Sequence, residues 1–277
     1  MTRIGIHLFR KDLRVEDNLA LNDLVDKVDQ VVGVFIFDSS QIKKRLGNSD
    51  HYSIRAAQFI VDSVNDLKKQ CDNKLIIAYG NPITTIETII QSIQPSILSF
   101  NADFTPYAIK RDESIIKLCK RLKVETLINE NDQSLCSMYS LIKKNGSPYM
   151  VYGSFYKNVV IQHIPTPVTK KVNWIKPRVK VESLDWKQTE QILIGGREQG
   201  LTRLKTKSKS VGATDSLIED TSKLSAYLNC GCISIREAYH LLRRKNGLKS
   251  ESLRSIAWRD FYLCIYRFTK RGNQYMH

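Results

Sequence analysis

The chain has 277 residues, 42% of them apolar, enough for one large domain or two ordinary ones with a sizeable core. No stretch approaches the uninterrupted apolar length of a membrane helix, and Met1-Thr2-Arg3-Ile4-Gly5 enters a short apolar run without a signal-peptide pattern. A soluble intracellular protein without a membrane partner is therefore expected. The net charge of +15 is unevenly spread: residues 1–130 hold 18 Lys and Arg against 17 Asp and Glu, whereas residues 131–277 hold 25 against 11. The second part thus carries nearly all the excess, which suits phosphate neutralisation, although a basic solvated face has the same composition.

The first 130 residues alternate short apolar runs with amphipathic stretches. The runs Ile4–Phe9, Val31–Phe37, Leu75–Ala78, Ile97–Phe100 and Val124–Ile128 are β-branched and nearly continuous, the pattern of strands covered on both faces. Ala57, Ile60, Val64 and Leu67 form one helical stripe, and Asn81-Pro82 reads as a cap with proline at the first helical position. Strand, helix and strand repeated in this way predict a doubly wound parallel α/β domain over residues 1–130. Residues 131–190 lose the rhythm and contain Pro148, Pro165, Pro167 and Pro177, so a long connector with little regular structure is expected there. From 191 to 277 the pattern is helical. Ser234-Ile235-Arg236-Glu237 has the spacing of a capping box, and Leu253, Ala257, Phe261 and Cys264 mark a last helix. Lys205–Ser210 reads as an exposed loop of low complexity.

Chemistry has few places to reside. Six cysteines and five histidines give no zinc pattern or metal-ligand spacing, so no metal is expected. No glycine-rich dinucleotide or Walker loop is present. Phe9–Asn18 packs charges where a parallel strand ends, which is either a ligand loop or a buried ion-pair cluster. Thr221-Ser222-Lys223-Leu224-Ser225 offers three hydroxyls, a cation and free N–H groups ahead of a helix, either a phosphate cradle or ordinary capping. On the last helix Ser255, Trp258 or Arg259, and Tyr262 share the side opposite the apolar stripe, where a tryptophan and arginines either stack on a base or pack on each other.

Taken in order, these segments resemble the photolyase and cryptochrome family. Phe9–Arg14 with Asp17-Asn18 and Ala20-Leu21 is similar to its opening motif, and Asn101 through Thr105–Ala108 to Arg111-Asp112 to its second. Gly195–Glu198 with Gly200-Leu201 and Arg203-Leu204 resembles the entry to its helical domain. Thr221–Ser225, Gly231–Glu237 and Trp258–Tyr262 carry the strongest likeness. The resemblance implies a Rossmann-like antenna domain, a connector, and the start of an all-helical FAD-binding domain, here incomplete over 191–277. It implies light-driven repair of pyrimidine dimers in DNA, with reduced flavin donating an electron to a flipped-out dimer. Thr221, Ser222, Lys223, Leu224, Ser225 and Arg259 would hold FAD, and Trp258 and Ser255 would face the dimer. Ser255 stands where repair enzymes of the family carry Glu or Gln. Ala108 replaces an acidic residue of folate-binding members, so the antenna pigment is left open and folate is not expected. The family's helical domain continues well beyond the Trp258–Tyr262 helix. The expectation is therefore a truncated deoxyribodipyrimidine photolyase, inactive as this chain alone. The alternatives are one half of a two-chain enzyme completed by a second polypeptide, or a non-catalytic cryptochrome-like binding or signalling module.

Overall fold

In the computed structural model, residues 2–46, 54–189, 191–206, 223–247 and 250–269 are described. Five strands, β1 (Ile4–Phe9), β2 (Gln30–Asp38), β3 (Ile76–Gly80), β4 (Ile97–Asn101) and β5 (Glu125–Asn129), pair in parallel in the order β3-β2-β1-β4-β5. The order reverses between β1 and β4, each of which starts a run of strands to its own side, so the sheet is doubly wound. Period-two alternation sends side chains to two layers. Ile6, Leu8, Val32, Val34, Leu98 and Phe100 meet α4 (Pro82–Ile93) and α5 (Pro106–Arg121) through Ile86, Ile90, Ile115 and Leu118. Phe9, Val31, Phe35, Phe37 and Ile97 point the other way, toward α1 (Leu19–Val25) and α3 (Ile54–Gln70). Along α3, Ala57, Val64 and Leu67 are buried and Ile60 is half-buried. The expected cap on α4 is present, with Asn81 Oδ1 accepting from Ile83 N at 2.9 Å.

The stretch after β5 is more structured than its composition predicts. It forms a 3-10 turn, Met138–Leu141, and α6 (Tyr152–Ile161), whose Phe155 and Val159 are buried. The signal was short, two buried residues per three turns, and the flanking prolines masked it. Beyond α6 the chain runs extended along the sheet. Val31 bonds to Asn173 O and Ile175 N, the buried Trp174 ring lies against Phe9, and Tyr79 N donates to Glu182 O at 2.8 Å. The extended segment thus pairs with β2 at Val31 and makes one backbone bond to the edge strand β3.

The C-terminal helices are α7 (Arg197–Thr206), α8 (Leu224–Asn229), α9 (Ile235–Asn246) and α10 (Glu251–Phe268). Their apolar residues Leu204, Tyr227, Ile235, Leu242, Ile256 and Phe261 belong to the same continuous core as Phe9, Leu13, Phe59 and Leu67. Lys205 and Thr206, expected in a loop, close α7. Two glycines permit the approach. A Cβ on Gly195 would lie 2.0 Å from Phe59 O, and one on Gly231, at φ +67°, would lie 2.0 Å from Lys11 O. The glycine-rich entry to the helices is therefore a docking device against α3. At the start of α9, Ser234 Oγ accepts from Arg236 N and Glu237 N, as the spacing predicts. Glu237 does not complete the box. Its carboxylate forms a two-pronged pair with Arg197 at 2.8 and 2.9 Å, which ties α9 to α7.

Gly231→Ala is expected to destabilise the protein by several kcal/mol, about 2–4, because it adds both a positive-φ penalty and a backbone clash. Urea unfolding of the wild type and the variant would read this directly. A midpoint within experimental error of the wild type would show that the contact with Lys11 is not needed.

Candidate functional sites

Two regions gather polar chemistry. The first lies at the C-terminal ends of β1 and β4, where a doubly wound sheet opens its ligand crevice. Much of the Phe9–Asn18 segment is an internal brace. Asp12 accepts from Arg10 N at 2.6 Å, Asn101 Nδ2 at 2.6 Å and Asn18 Nδ2 at 3.1 Å, and lies 3.3 Å from His7 Nε2. Burial opposes its charge, but His7 and these donors hold the carboxyl well below the ordinary range. His7 Nδ1 lies 2.8 Å from Ser99 Oγ, so serine, histidine and aspartate form a chain of three. All three are buried, and no substrate could reach the serine without opening the sheet.

Outside this brace, Arg10 and Arg111 share one carboxylate, Asp112. The Arg10 guanidinium lies 4.4 Å from the Phe100 ring and also donates to Asn101 O. Its Nε is buried and has no partner among the described residues. Burial, with Arg111 beside it, pulls the Arg10 pKa down. Tyr107, 41% exposed, donates to Asp38 and lies under Arg111. Two cations to one anion, framed by aromatic rings, leave this edge suited to an anionic planar ligand.

The second region is α10 and its surroundings. Trp258 is 39% exposed, and its ring is stacked parallel on Tyr152 of α6 at 3.7 Å and 5°. Tyr262 lies near-parallel to Trp258 at 5.6 Å, and Tyr156 near-parallel to Tyr152 at 5.7 Å, so four aromatic rings cluster here. Tyr152 was not singled out by the sequence, because only the fold places α6 against α10. Tyr152 OH donates to Arg254 O at 2.7 Å. Ser255 is exposed one turn before Trp258, with its Oγ donating to Glu251 O at 3.1 Å.

Arg259 turns inward. It donates to Gln133 O and lies 3.7 Å from Asp260, with a quarter of its side chain exposed. Burial lowers its pKa, opposed by Asp260. Asp260 is fully buried. Its Oδ2 accepts from Leu135 N at 2.8 Å, and its Oδ1 has no hydrogen-bond partner among the described residues. Burial pushes this carboxyl up to about 6, against the pull of Arg259, Leu135 N–H and Arg236.

Of the expected phosphate cradle, Thr221 and Ser222 lie outside the described residues. Lys223 precedes α8 in the left-handed region at φ 50°, Leu224 is half-buried against the core, and Ser225 is exposed in the first turn. α8 packs on α7, whereas α10 packs on α6 and α9. No hydrogen bond or ion pair among the described residues joins Lys223–Ser225 to Arg259, so the two groups expected to share one cofactor are not brought into contact by their own side chains.

Comparison with known proteins agrees with this architecture. Residues 5–172 match the DNA photolyase family model, and the chain belongs to the DNA photolyase family. It is 28% identical to a deoxyribodipyrimidine photo-lyase of Synechococcus, with 94% of this chain and 60% of that protein covered. Chicken cryptochrome-2 is 25% identical, with 93% and 50% covered. Among solved structures, an archaeal photolyase of Sulfolobus tokodaii containing two FAD molecules superposes with a TM-score of 0.73 at 26% identity, covering 97% of this chain and 60% of that one. A class III photolyase of Agrobacterium tumefaciens gives 0.78 at 21% identity, covering 98% and 60%, and shows the fold alone. The chain thus spans about half to three fifths of the length of the relatives it matches.

The raised Asp260 pKa has a definite sign. An acid whose folded pKa lies above its unfolded value of about 3.9 contributes stability at low pH that is lost as pH rises to about 6. Asp260→Asn keeps an acceptor for Leu135 N–H and removes that loss. Its stability relative to wild type is expected to improve by roughly 2 kcal/mol between pH 4 and pH 7.5. Urea titrations at the two pH values would measure the change, and an equal difference at both would rule out Asp260 as the titrating group.

Proposed function

We propose that these residues form the antenna-side portion of a photolyase-type flavoprotein, whose role is light-driven repair of pyrimidine dimers in DNA. The observation that carries this reading is the outer side of α10. It leaves Trp258 39% and Tyr262 61% exposed as an aromatic surface on the helix that also carries the inward-turned Arg259. The match to photolyases across nearly the whole chain supports it.

In this reading Thr221, Ser222, Lys223, Leu224, Ser225 and Arg259 contribute to the phosphate side of FAD, with flavin supplying the electron when bound. The fit is partial. Arg259 keeps a quarter of its side chain exposed but directs its guanidinium to Gln133 O and Asp260, Ser225 is exposed, and Leu224 can offer only its backbone. Trp258 and Ser255 face the dimer. The Trp258 ring is already covered by Tyr152, so a flipped base stacks there only if Tyr152 or Tyr262 swings aside. We assign the Arg10–Arg111 edge to the antenna pigment, since an aromatic-framed surplus of cations suits an anionic chromophore. The Sulfolobus relative, with its two FAD molecules, lends support to two separate flavin-type sites.

A polypeptide of these 277 residues is expected to retain little FAD and to repair no dimers. Phosphate contacts on an open surface contribute about 1 kcal/mol each, whereas micromolar binding needs roughly 8 kcal/mol. The check is to purify it with excess FAD, desalt it, record flavin absorbance, and assay dimer repair under near-ultraviolet light. Stoichiometric flavin with light-dependent repair would overturn the expectation. Flavin retained only after a second polypeptide is added would favour a two-chain enzyme.

The same polypeptide is expected to bind duplex DNA weakly and without sequence preference through the basic second part. Its log–log salt slope should be steeper by about 0.9 for each phosphate neutralised. Affinity that does not change with salt would remove this idea.

A further inference from the structure

Between the 3-10 turn Met138–Leu141 and α6 lies a cavity of about 520 Å³ that neither the flavin reading nor the antenna reading uses. Its walls include Tyr139, Tyr149, Ile142, Lys143, Lys144 and Asn158, and no carboxylate lines it. Among the described residues no Asp or Glu lies within ion-pair distance of Lys143 or Lys144. Two lysines thus line the cavity with no ion-pair partner among the described residues.

The frame is built rather than incidental. Lys143 N donates to Ser147 O and Gly146 N to Lys143 O, both at 2.9 Å, which closes the lysine loop into a tight turn. Gly146 at its tip has φ +79°, and a Cβ there would meet no atom within 4 Å, so the mouth is open. On the opposite wall Asn158 Nδ2 donates to Ser140 O at 2.9 Å and fixes α6 against the 3-10 turn. The Tyr149 ring carries Lys143 Nζ at 5.8 Å from its centroid. Tyr139, 61% exposed, is held from behind by Phe268 and by Arg267, whose own charge is paired with Glu130.

We propose that this cavity binds a nucleoside phosphate, with the phosphate on Lys143 and Lys144 and the planar base on Tyr139 or Tyr149. The volume is within the range of small-molecule sites. Two unneutralised cations select an anion, and two tyrosine faces select a ring. Neither group alone would single out a nucleotide, but together they match its two ends. The same chemistry is offered by a free nucleotide and by the 5′-phosphorylated end of a strand.

The test is calorimetric titration of the full chain with AMP, adenosine, inorganic phosphate and a 5′-phosphorylated dinucleotide. AMP should bind at least tenfold more tightly than adenosine or phosphate, and Lys143→Gln/Lys144→Gln should weaken AMP at least tenfold. Both lysines are exposed, so an unchanged melting curve will show that the variant is folded. Tyr139→Phe and Tyr149→Phe, which keep the rings, should bind as wild type does, and Tyr139→Ala or Tyr149→Ala, whichever removes the stacking ring, more weakly. A dinucleotide that binds more tightly than AMP points to a strand end, and the reverse order points to the free nucleotide. AMP binding no tighter than adenosine, or binding that survives in the double-lysine variant, would overturn the proposal. The second outcome would place the nucleotide at the flavin region instead, so this site fails separately from the flavin reading.

Discussion

Arg14 and Arg236 share two carboxylates, Asp17 and Asp132, at the point where sheet, connector and C-terminal helices meet, and all four side chains are buried. Arg14 donates to Asp132 at 2.7 Å, to Asp17 O at 2.9 Å and to Gly231 O at 3.2 Å. Arg236 donates to Asp17 at 2.8 Å and reaches Ser134 O at 3.0 Å. Burial works against the Arg14 charge, but Asp132 and Asp17 more than compensate and raise its pKa. Two cations and two anions cancel, and backbone carbonyls take further guanidinium donors, although the buried Arg14 Nε has no hydrogen-bond partner among the described residues. Such a cluster contributes little net stability when complete, yet losing one member leaves a bare buried charge at a cost of about 3–5 kcal/mol. Its effect is therefore to permit one arrangement of three chain segments and penalise the others.

The functional regions depend on that arrangement. Asp17 also accepts from Val168 N, and Asp132 from Leu19 N, so the cluster holds the connector at its start and again beyond α6. The connector carries α6, and α6 supplies Tyr152 to the Trp258 ring and Asn158 to the lysine-lined cavity. Arg236 follows the cap of α9, and α9 packs on α10, which holds Arg259 and Trp258. A shift of the cluster would be passed to Trp258 and Arg259 through the packing of α10 on α9 and α6.

This explains which parts were legible in the sequence. The five strands were, because β-branched runs covered on both faces leave a local pattern. The Asn81 and Ser234 caps were, because capping is decided within four residues. Glu237 misled for the same reason: its spacing suited a capping box, but a half-buried arginine forty positions earlier offered a stronger partner. Arg14 and Asp17 lay within a motif that stood out, yet their partners are more than a hundred positions away and carry no local signature. α6 was lost among prolines. Tyr152 carried no signal at all, since a stack between helices a hundred residues apart exists only once the fold is made.

The opening motif therefore divides its labour by side-chain direction. Arg10 packs at the strand ends on Phe100 and Asp112, where its Nε has no hydrogen-bond partner among the described residues and Arg111 is its neighbour. Asp12 faces into the sheet and braces the loop on His7, Asn18 and Asn101. Arg14 and Asp17 face the helical layer and fix its position. Three successive layers of one short loop thus connect a ligand edge, a rigid sheet and a second set of helices. Rigidity matters at such an edge because a guanidinium pair held in place loses little entropy when an anion arrives. The Asp12 brace lowers the ordering cost for Arg10, whose backbone N–H it holds, and the Arg14 cluster keeps the opposite side of the loop from relaxing. A ligand at the strand ends and a cofactor on the helices would then be supported by the same ten residues, which couples their positions without any direct contact between them.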